Sequence, residues 1–522
     1  MLKNEAYQFN FTSILYNKIP KNHILKRINS AISLSFVNDL LKDKYCSNFG
    51  RPAKEPEMMV RILILKELYN LSEEKVMEEI NLNLACMWFI GINPDDEVPD
   101  SSLISKFKTL RLDDATLDEI INEIVRQCIE KGIIPKETGI SIDATHIEAN
   151  TIRKTPERIM KHLAKKIFKA TGKEDYEIPN YKEIEDHNEA KKVMKEYLEE
   201  TIEENKDNEN AREAIQEAKE ILESPLFIEQ KGIRSLIDKD ARVGHKSQNQ
   251  DFFGYKAEFC MTTDGELITA ATVGTGAYVD GSRFEKLYEQ TKQSGLKIKE
   301  LLGDKAYFKI NIIDKLESEK VQPYIPTSAS SYRIDDELYS YNKDSDQWFC
   351  KNGNETKKVS SRKRQNGYMA LRYTFEREKC RNCPYREQCI GKAKTISKIL
   401  EVGSNAPKYY EYNKFNQTDD FKNTYKKRAR IEGKNAELKR FHGLARAKGY
   451  GLGAVSKQTK LTIIAVNLKK IAKLSSINSP NILTLFNKII SKYFFVLKIW
   501  NASQKIVTFS VVPDVLFIQF SL

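Results

Sequence analysis

The chain has 522 residues and a formal net charge of +12, with 85 Lys and Arg against 73 Asp and Glu. That length allows two to four domains, and the positive balance points to a polyanion, nucleic acid above all, or to an anionic membrane surface. Eight cysteines in so long a chain argue against a small disulfide scaffold and for a reducing compartment; with no run of eighteen apolar residues and no apolar signal core in MLKNEAYQFNFTSILYNK, neither a membrane span nor secretion is expected, and the expected location is the cytoplasm.

In chain order, a helix is expected near Ile24 to Leu41. Pro52 and Pro56 mark a break, after which Met58, Ile62, Leu65 and Tyr69 repeat at helical spacing. Ser72 is placed to cap a helix through Val76, Met77 and Ile80. Leu84 to Ile90 reads as a short buried helix, and Asp100 can cap another through Leu103 and Phe107. Residues 1–125 therefore read as an all-α domain. It suits either a helix-turn-helix reader of DNA or a plain helical domain docked on a core.

TGISIDATHIE (138–148) alternates Ile140 and Ile142 with small polar residues, which predicts a strand carrying Asp143 near its end. Taken alone, Asp143 could equally cap the next turn. Residues 155–231 turn charged and helical, with stripes Val193, Tyr197, Leu198, Ile202 and Ala214, Ala218, Ile221, Leu222. They read as a helical insertion whose charge runs are solvated faces. Phe253–Met261 and Leu267–Val273 then alternate as two antiparallel strands joined at Thr263-Asp264-Gly265. A helix through Phe284, Leu287 and Tyr288 follows, then a strand Ile298–Leu302 ending at Asp304.

Residues 309–420, rich in Tyr, Ser and Asn with short β-like runs, read as a β-rich insertion. Cys380, Cys383 and Cys389, together with Cys350, could form a four-thiolate zinc site. The second C-x2-C pair usual for such sites is missing, and free thiols are the alternative. The segment 476–522 has aromatic and β-branched runs and no assigned place.

The stretch YKKRARIEGKNAELK (425–439) organises the rest. Drawn as a helix at about 100° per residue, it brings Tyr425, Arg428, Asn435 and Lys439 within roughly a quarter-turn of Glu432. Gly433 in mid-helix costs about 1 kcal/mol relative to Ala, which is easier to understand where a backbone or ligand comes close. A solvated basic helix with an i,i+4 pair from Arg428 to Glu432 is the bland alternative. FHGLARAKGYGLG follows, with Arg446 and Lys448 among glycines suited to phosphate, then an apolar helix Leu461–Leu474.

The spacing Tyr425, Arg428, Glu432, Lys439 resembles the signature around the last acidic residue of DDE transposases of bacterial insertion sequences. The order of strands and helices resembles their α/β, ribonuclease-H-like, mixed-sheet catalytic core. The resemblance implies a core from 136–154, 232–308 and 421–475, with an N-terminal all-α domain, a helical insertion and a β-rich insertion. It implies a catalytic triad of Asp143, Asp304 and Glu432 holding two Mg²⁺ or Mn²⁺ ions, with Tyr425, Arg428, Lys439, Arg446 and Lys448 on DNA. Asp240 and Asp280 rival the two aspartates, and Glu437 rivals Glu432. The implied activity is binding of terminal inverted repeats, hydrolysis of phosphodiester bonds at the ends and joining of the 3′-hydroxyls to target DNA. A homodimer or larger synaptic complex, associated with the nucleoid, would carry it out. A ribonuclease-H-like nuclease without strand transfer and a catalytically decayed DNA-binding relative are the alternatives.

Overall fold

A computed structural model of the chain describes residues 11–46, 52–225, 227–229, 232–247, 249–329, 331–364, 369–391, 395–478, 511–512 and 515–516. Most of the C-terminal segment therefore lies outside the described residues; within it, Val511–Val512 pairs with Val515–Leu516.

The N-terminal helices are α1 (Ile24–Ala31), α2 (Phe36–Leu41), α3 (Pro56–Leu68), α4 (Glu73–Leu82), α5 (Leu84–Ile90), α6 (Ser102–Leu110) and α7 (Asp114–Glu130). The single helix expected over Ile24–Leu41 is broken at Ile32, which is extended at φ −128°, ψ 130°. The physical reason comes from another helix. Gln127 of α7 accepts from the Ser33 amide at 2.9 Å and donates to the Ser33 carbonyl at 3.0 Å, so a distant side chain satisfies backbone groups that a continuous helix would have paired. Ser72 caps α4 through a 3.2 Å bond from the Lys75 amide, and Asp100 accepts from the Ser102 amide at 2.9 Å.

The central sheet contains β1 (Glu137–Glu148), β2 (Arg242–Ser247), β3 (Gln250–Thr262) and β4 (Ile268–Thr275). After helix α11 (Phe284–Gln293) come β5 (Lys297–Leu302), helix α12 (Ile310–Ser318) and β6 (Gln322–Tyr324). The strand order is β2-β3-β1-β5-β6, with β4 also beside β3. β3 lies antiparallel to both β1 and β4, while β5 runs parallel to β1 and β6 parallel to β5. Antiparallel strands on one side of β1 and helix-connected parallel strands on the other make a ribonuclease-H-like mixed sheet. Its last strand comes from the segment that the sequence places in the β-rich insertion. β2 is a short polar edge strand that periodicity does not reveal.

Between β1 and β2, α8 (Pro156–Thr171), α9 (His187–Glu204) and α10 (Arg212–Leu222) bury their apolar stripes in a cluster of their own that includes Ile159, Leu163, Met194, Leu198, Ala218 and Ile221. After β6, β7 (Tyr339–Asn342) pairs with β8 (Gln347–Cys350), and β9 (Thr356–Lys363), β10 (Met369–Phe375) and β11 (Ile399–Gly403) form an antiparallel sheet. Two short helices, α13 (Arg377–Arg381) and α14 (Arg386–Ile390), lie between β10 and β11, and α15 (Ala406–Gln417) follows.

The chain returns to the core through α16 (Asp419–Tyr425), α17 (Ala429–Phe441) and the long α18 (Leu452–Asn478). α18 packs on α1, α3, α7 and β4, and one apolar cluster runs from Leu25 through Ile142 to Ala472. The N-terminal helices and the sheet thus share a core; each fully buried Leu, Ile or Val in it contributes about 1.5–3 kcal/mol. Asn467 of α18 accepts from the Ile268 amide at 2.9 Å and donates to its carbonyl at 2.7 Å, closing off backbone groups of β4. Among the described residues no helix is long and apolar enough to cross a membrane.

Candidate active site

The site grows from the register of β1 and β5. The two strands run parallel and pair as far as Ser141 opposite Leu302. Two residues further along each chain stand Asp143 and Asp304. β1 itself continues to Glu148, paired there with β3, so Asp143 is in mid-strand; the expectation that it lies near the strand's end holds only for the pairing with β5. Gly303 makes the adjoining turn, where a Cβ would lie 3.2 Å from Tyr307 Cβ and 3.3 Å from Ile142 Cγ2. Asp304 then caps a short 3-10 turn, its Oδ1 accepting from the Ala306 amide at 2.8 Å.

The third wall comes from the stretch around Glu432. It is not one uninterrupted α-helix: a 3-10 turn, Lys426–Arg428, joins α16 to α17. Its tighter winding keeps the expected face together. Arg428 places Nη2 3.1 Å from Asp143 Oδ1 and Nη1 2.6 Å from Glu432 Oε1. Asn435 donates from Nδ2 to Asp143 Oδ2 at 2.8 Å. Both oxygens of the Asp143 carboxylate are thereby held from α17 and the turn before it.

Burial pushes the Asp143 carboxyl up to about 6; Arg428 opposes this, and Asp304 nearby adds to it. Burial pulls Arg428 down, but Asp143, Tyr425, Asp304 and Glu432 together raise it. The side chains of Asp143 and Arg428 are 12 % and 15 % exposed, whereas that of Glu432 is 59 % exposed and turned to solvent. Tyr425 stacks on Phe421 with ring centroids 5.4 Å apart, so one face of its ring is occupied by protein. Among the described residues, nothing beyond the glycine's chain neighbours and the helix's own backbone lies within 4 Å of a Cβ built on Gly433; that part of the helix faces open space.

Lys439 extends the face along β1. Its Nζ stands 3.2 Å from His146 Nδ1, and the His146 ring lies 5.2 Å from Phe252. Burial lowers Lys439 to about 8, helped by Lys246, and burial with Lys439, Lys246 and Lys256 lowers His146 to about 4. Arg446 is exposed and its backbone bridges to Glu148 at the end of β1. Lys448 is exposed too, but its Nζ is 3.0 Å from the buried Glu67 Oε2 on α3. The rival acids are occupied elsewhere. Glu437 pairs with Lys434 at 2.8 Å and Lys469 at 3.0 Å, Asp280 pairs with Lys256 at 2.9 Å, and Asp240 accepts from the Leu452 amide at 2.8 Å.

Two residues of the site carry no mark in the sequence. Asn435 is on the expected face, yet nothing in its type or spacing marks it as the partner of Asp143. Glu258 on β3 stands opposite Ala144, fully buried, accepting from Tyr278 Oη at 2.6 Å and the Gly281 amide at 2.7 Å. It ties the 278–281 loop to the back of the site, a link only the strand register reveals.

Among the described residues no three His, Cys, Asp or Glu side chains stand at a spacing that could hold a metal ion as placed. The donor chemistry nevertheless fits a hard divalent cation. Asp143 and Asp304 carry carboxylate oxygens of the kind such an ion takes, a guanidinium already stands as the cation between Asp143 and Glu432, and among the described residues the buried Asn435 Oδ1 and Arg428 Nε have no hydrogen-bond partner.

Comparison with known proteins adds two family matches. Residues 13–110 match a transposase domain (DUF772), and residues 349–472 match a transposase DDE domain. The first covers α1–α6; the second contains Glu432 and the four insertion cysteines, and Asp143 and Asp304 lie between the two. Together they support a DDE transposase. No curated protein matches. A solved piggyBac transposase synaptic complex with hairpin DNA aligns over 92% of this chain and 85% of its own at 9% identity and a TM-score of 0.26, too remote to place any element here.

Proposed function

We propose that this DNA transposase acts on the terminal inverted repeats of an insertion sequence, cuts at the ends and joins the freed 3′-hydroxyls to a target duplex. The observation that carries the reading is the convergence of Asp143, Asp304 and the Arg428–Glu432 pair where β5 ends beside β1 of a ribonuclease-H-like sheet. Asp143, Asp304 and Glu432 would hold Mg²⁺ or Mn²⁺; when bound, two such ions activate the attacking water or 3′-hydroxyl and stabilise the leaving oxygen. Asn435 orients Asp143 through its 2.8 Å bond. Arg428 offsets the negative charge of the carboxylates and, when Glu432 turns inward, is free to meet a phosphate. Lys439 and Arg446 continue the cationic face along β1 and would take the DNA backbone. The open surface over Gly433 leaves room for that backbone to approach.

The two inserts would be separate domains on this core, the helical one after β1 and the β-rich one before α16. Joining two ends to one target requires both ends to be held together, hence a dimer or larger assembly, placed with the nucleoid. The test is cleavage and joining of duplex DNA that carries the ends of the element. Products joined to a second duplex identify a transposase, nicking without joining identifies a nuclease, and binding without cutting under any divalent metal identifies a DNA-binding relative.

A further inference from the structure

The four cysteines of the β-rich insertion play no part in the reading above. They come from separate places in the chain: Cys350 ends β8, Cys380 lies on α13, Cys383 follows it and Cys389 lies on α14. All four border one small cavity of about 20 Å³, room for about one water-sized sphere. None is in a disulfide. Polar groups address the sulfurs, with Asn354 Nδ2 donating to Cys380 Sγ at 3.2 Å and Tyr339 Oη 3.0 Å from Cys389 Sγ.

Charge supplies a second, independent observation. Lys379, Arg386 and Lys398 border the same cavity. Lys379 pairs with Glu376 at 3.1 Å. Lys398 donates to the Cys389 carbonyl at 2.7 Å and Arg386 to the Ile396 carbonyl at 3.0 Å; among the described residues neither has a carboxylate at ion-pair distance. A divalent ion in four thiolates carries a net double negative charge, which these cations would offset.

We infer that Cys350, Cys380, Cys383 and Cys389 bind one zinc ion as a closed four-thiolate site that fastens the β7–β8 hairpin to α13 and α14. Binding releases four thiol protons to solvent and forms four Zn–S bonds, with no change of oxidation state. As placed, the sulfurs are not at ligand spacing, so binding draws them inward to about 2.3 Å from the ion. Four protein ligands leave no open position, which makes the site structural. It does not rest on the transposase reading and shares no residue with the carboxylate site.

The test uses full-length protein purified under reducing conditions from zinc-supplemented medium, without chelators or an immobilised metal column. Metal analysis should find about one zinc per chain. The ion should be lost in Cys350→Ser and in Cys383→Ser and kept in Cys46→Ser and in Asp143→Asn. If the cysteine variants fail to fold, cobalt exchange into the wild type should give the intense visible absorption of a tetrahedral thiolate complex. Folded wild-type protein with reduced thiols, no zinc and no such cobalt spectrum would overturn the inference, as would zinc retained in both Cys350→Ser and Cys383→Ser.

Discussion

Arg428 reaches Asp143 with its Nη2 3.1 Å from Oδ1, while its other terminal nitrogen lies 2.6 Å from Glu432. One guanidinium therefore bridges a strand carboxylate and a helix carboxylate whose codons are almost three hundred residues apart. The planar fork of Arg makes two directed bonds, which the single ammonium of Lys does not reproduce. Arg428→Ala is expected to lower DNA cutting by about 100-fold, the scale seen when one charged or hydrogen-bonding group is removed from a reacting site. Arg428→Lys should recover little of the loss. An Arg428→Ala cutting rate within about threefold of wild type would remove Arg428 from the reaction.

Asn435 acts through Asp143, so its removal should disturb metal binding and leave the fold intact. Asn435→Ala is expected to weaken activation by Mg²⁺ about 10- to 100-fold, as for outer partners of metal ligands generally. Asn435→Asp should be worse, because it sets a second negative charge beside a buried carboxylate. The check is the Mg²⁺ concentration for half-maximal cutting, with thermal unfolding as the control for folding. An unchanged Mg²⁺ requirement in both variants would remove the positioning role.

Asp143 is raised to about 6 by burial, with Asp304 adding and Arg428 opposing. A carboxyl must lose its proton to bind a cation, so protons compete with metal below that value. Metal-dependent cutting should therefore rise as pH increases through about 6. Removing Arg428 takes away the opposing charge, and the rise should move to higher pH in Arg428→Ala. A profile flat across this range, with protein folded throughout, would contradict the assignment.

Lys448 and Arg446, both placed on DNA by the sequence, should separate. Glu67 is 1 % exposed and binds Lys66 at 2.7 Å and Lys448 at 3.0 Å. Lys448→Ala leaves Glu67 with one cation fewer and should cost about 1–3 kcal/mol in urea unfolding, with the salt dependence of DNA binding unchanged. Arg446→Ala should leave stability within about 0.5 kcal/mol and reduce the salt slope by about 1. The opposite pattern would put Lys448 on the DNA and Arg446 in the fold.

Much of this arrangement is legible in the sequence, and the failures have physical causes. The spacing of Tyr425, Arg428, Glu432, Asn435 and Lys439 puts them on one face because helical geometry is local, and one tightened turn does not undo it. The hairpin of β3 and β4 follows from alternation. By contrast, the break at Ile32 depends on Gln127, whose bonds to Ser33 cross nearly a hundred residues. Asp143 reads as a strand-end residue, yet β1 is twelve residues long and pairs with β5 over its first half only; register is a tertiary property. Lys448 looks like a phosphate ligand among glycines, and only the buried Glu67 on a distant helix explains why its ammonium is held there. The cysteine spacing already groups Cys350 with Cys380, Cys383 and Cys389, and the fold sets all four around one cavity.

The most direct measurement is cleavage of a DNA fragment carrying the element's end, with and without Mg²⁺, by wild type and Asp304→Asn. Asp304 is two residues beyond the last paired residue of β5, as Asp143 is beyond its partner on β1, and its carboxylate lies outside the Arg428 bridge. Metal-dependent nicking by the wild type that the substitution removes, with DNA binding retained, is the result this account predicts. Nicking at the wild-type rate by Asp304→Asn would contradict it.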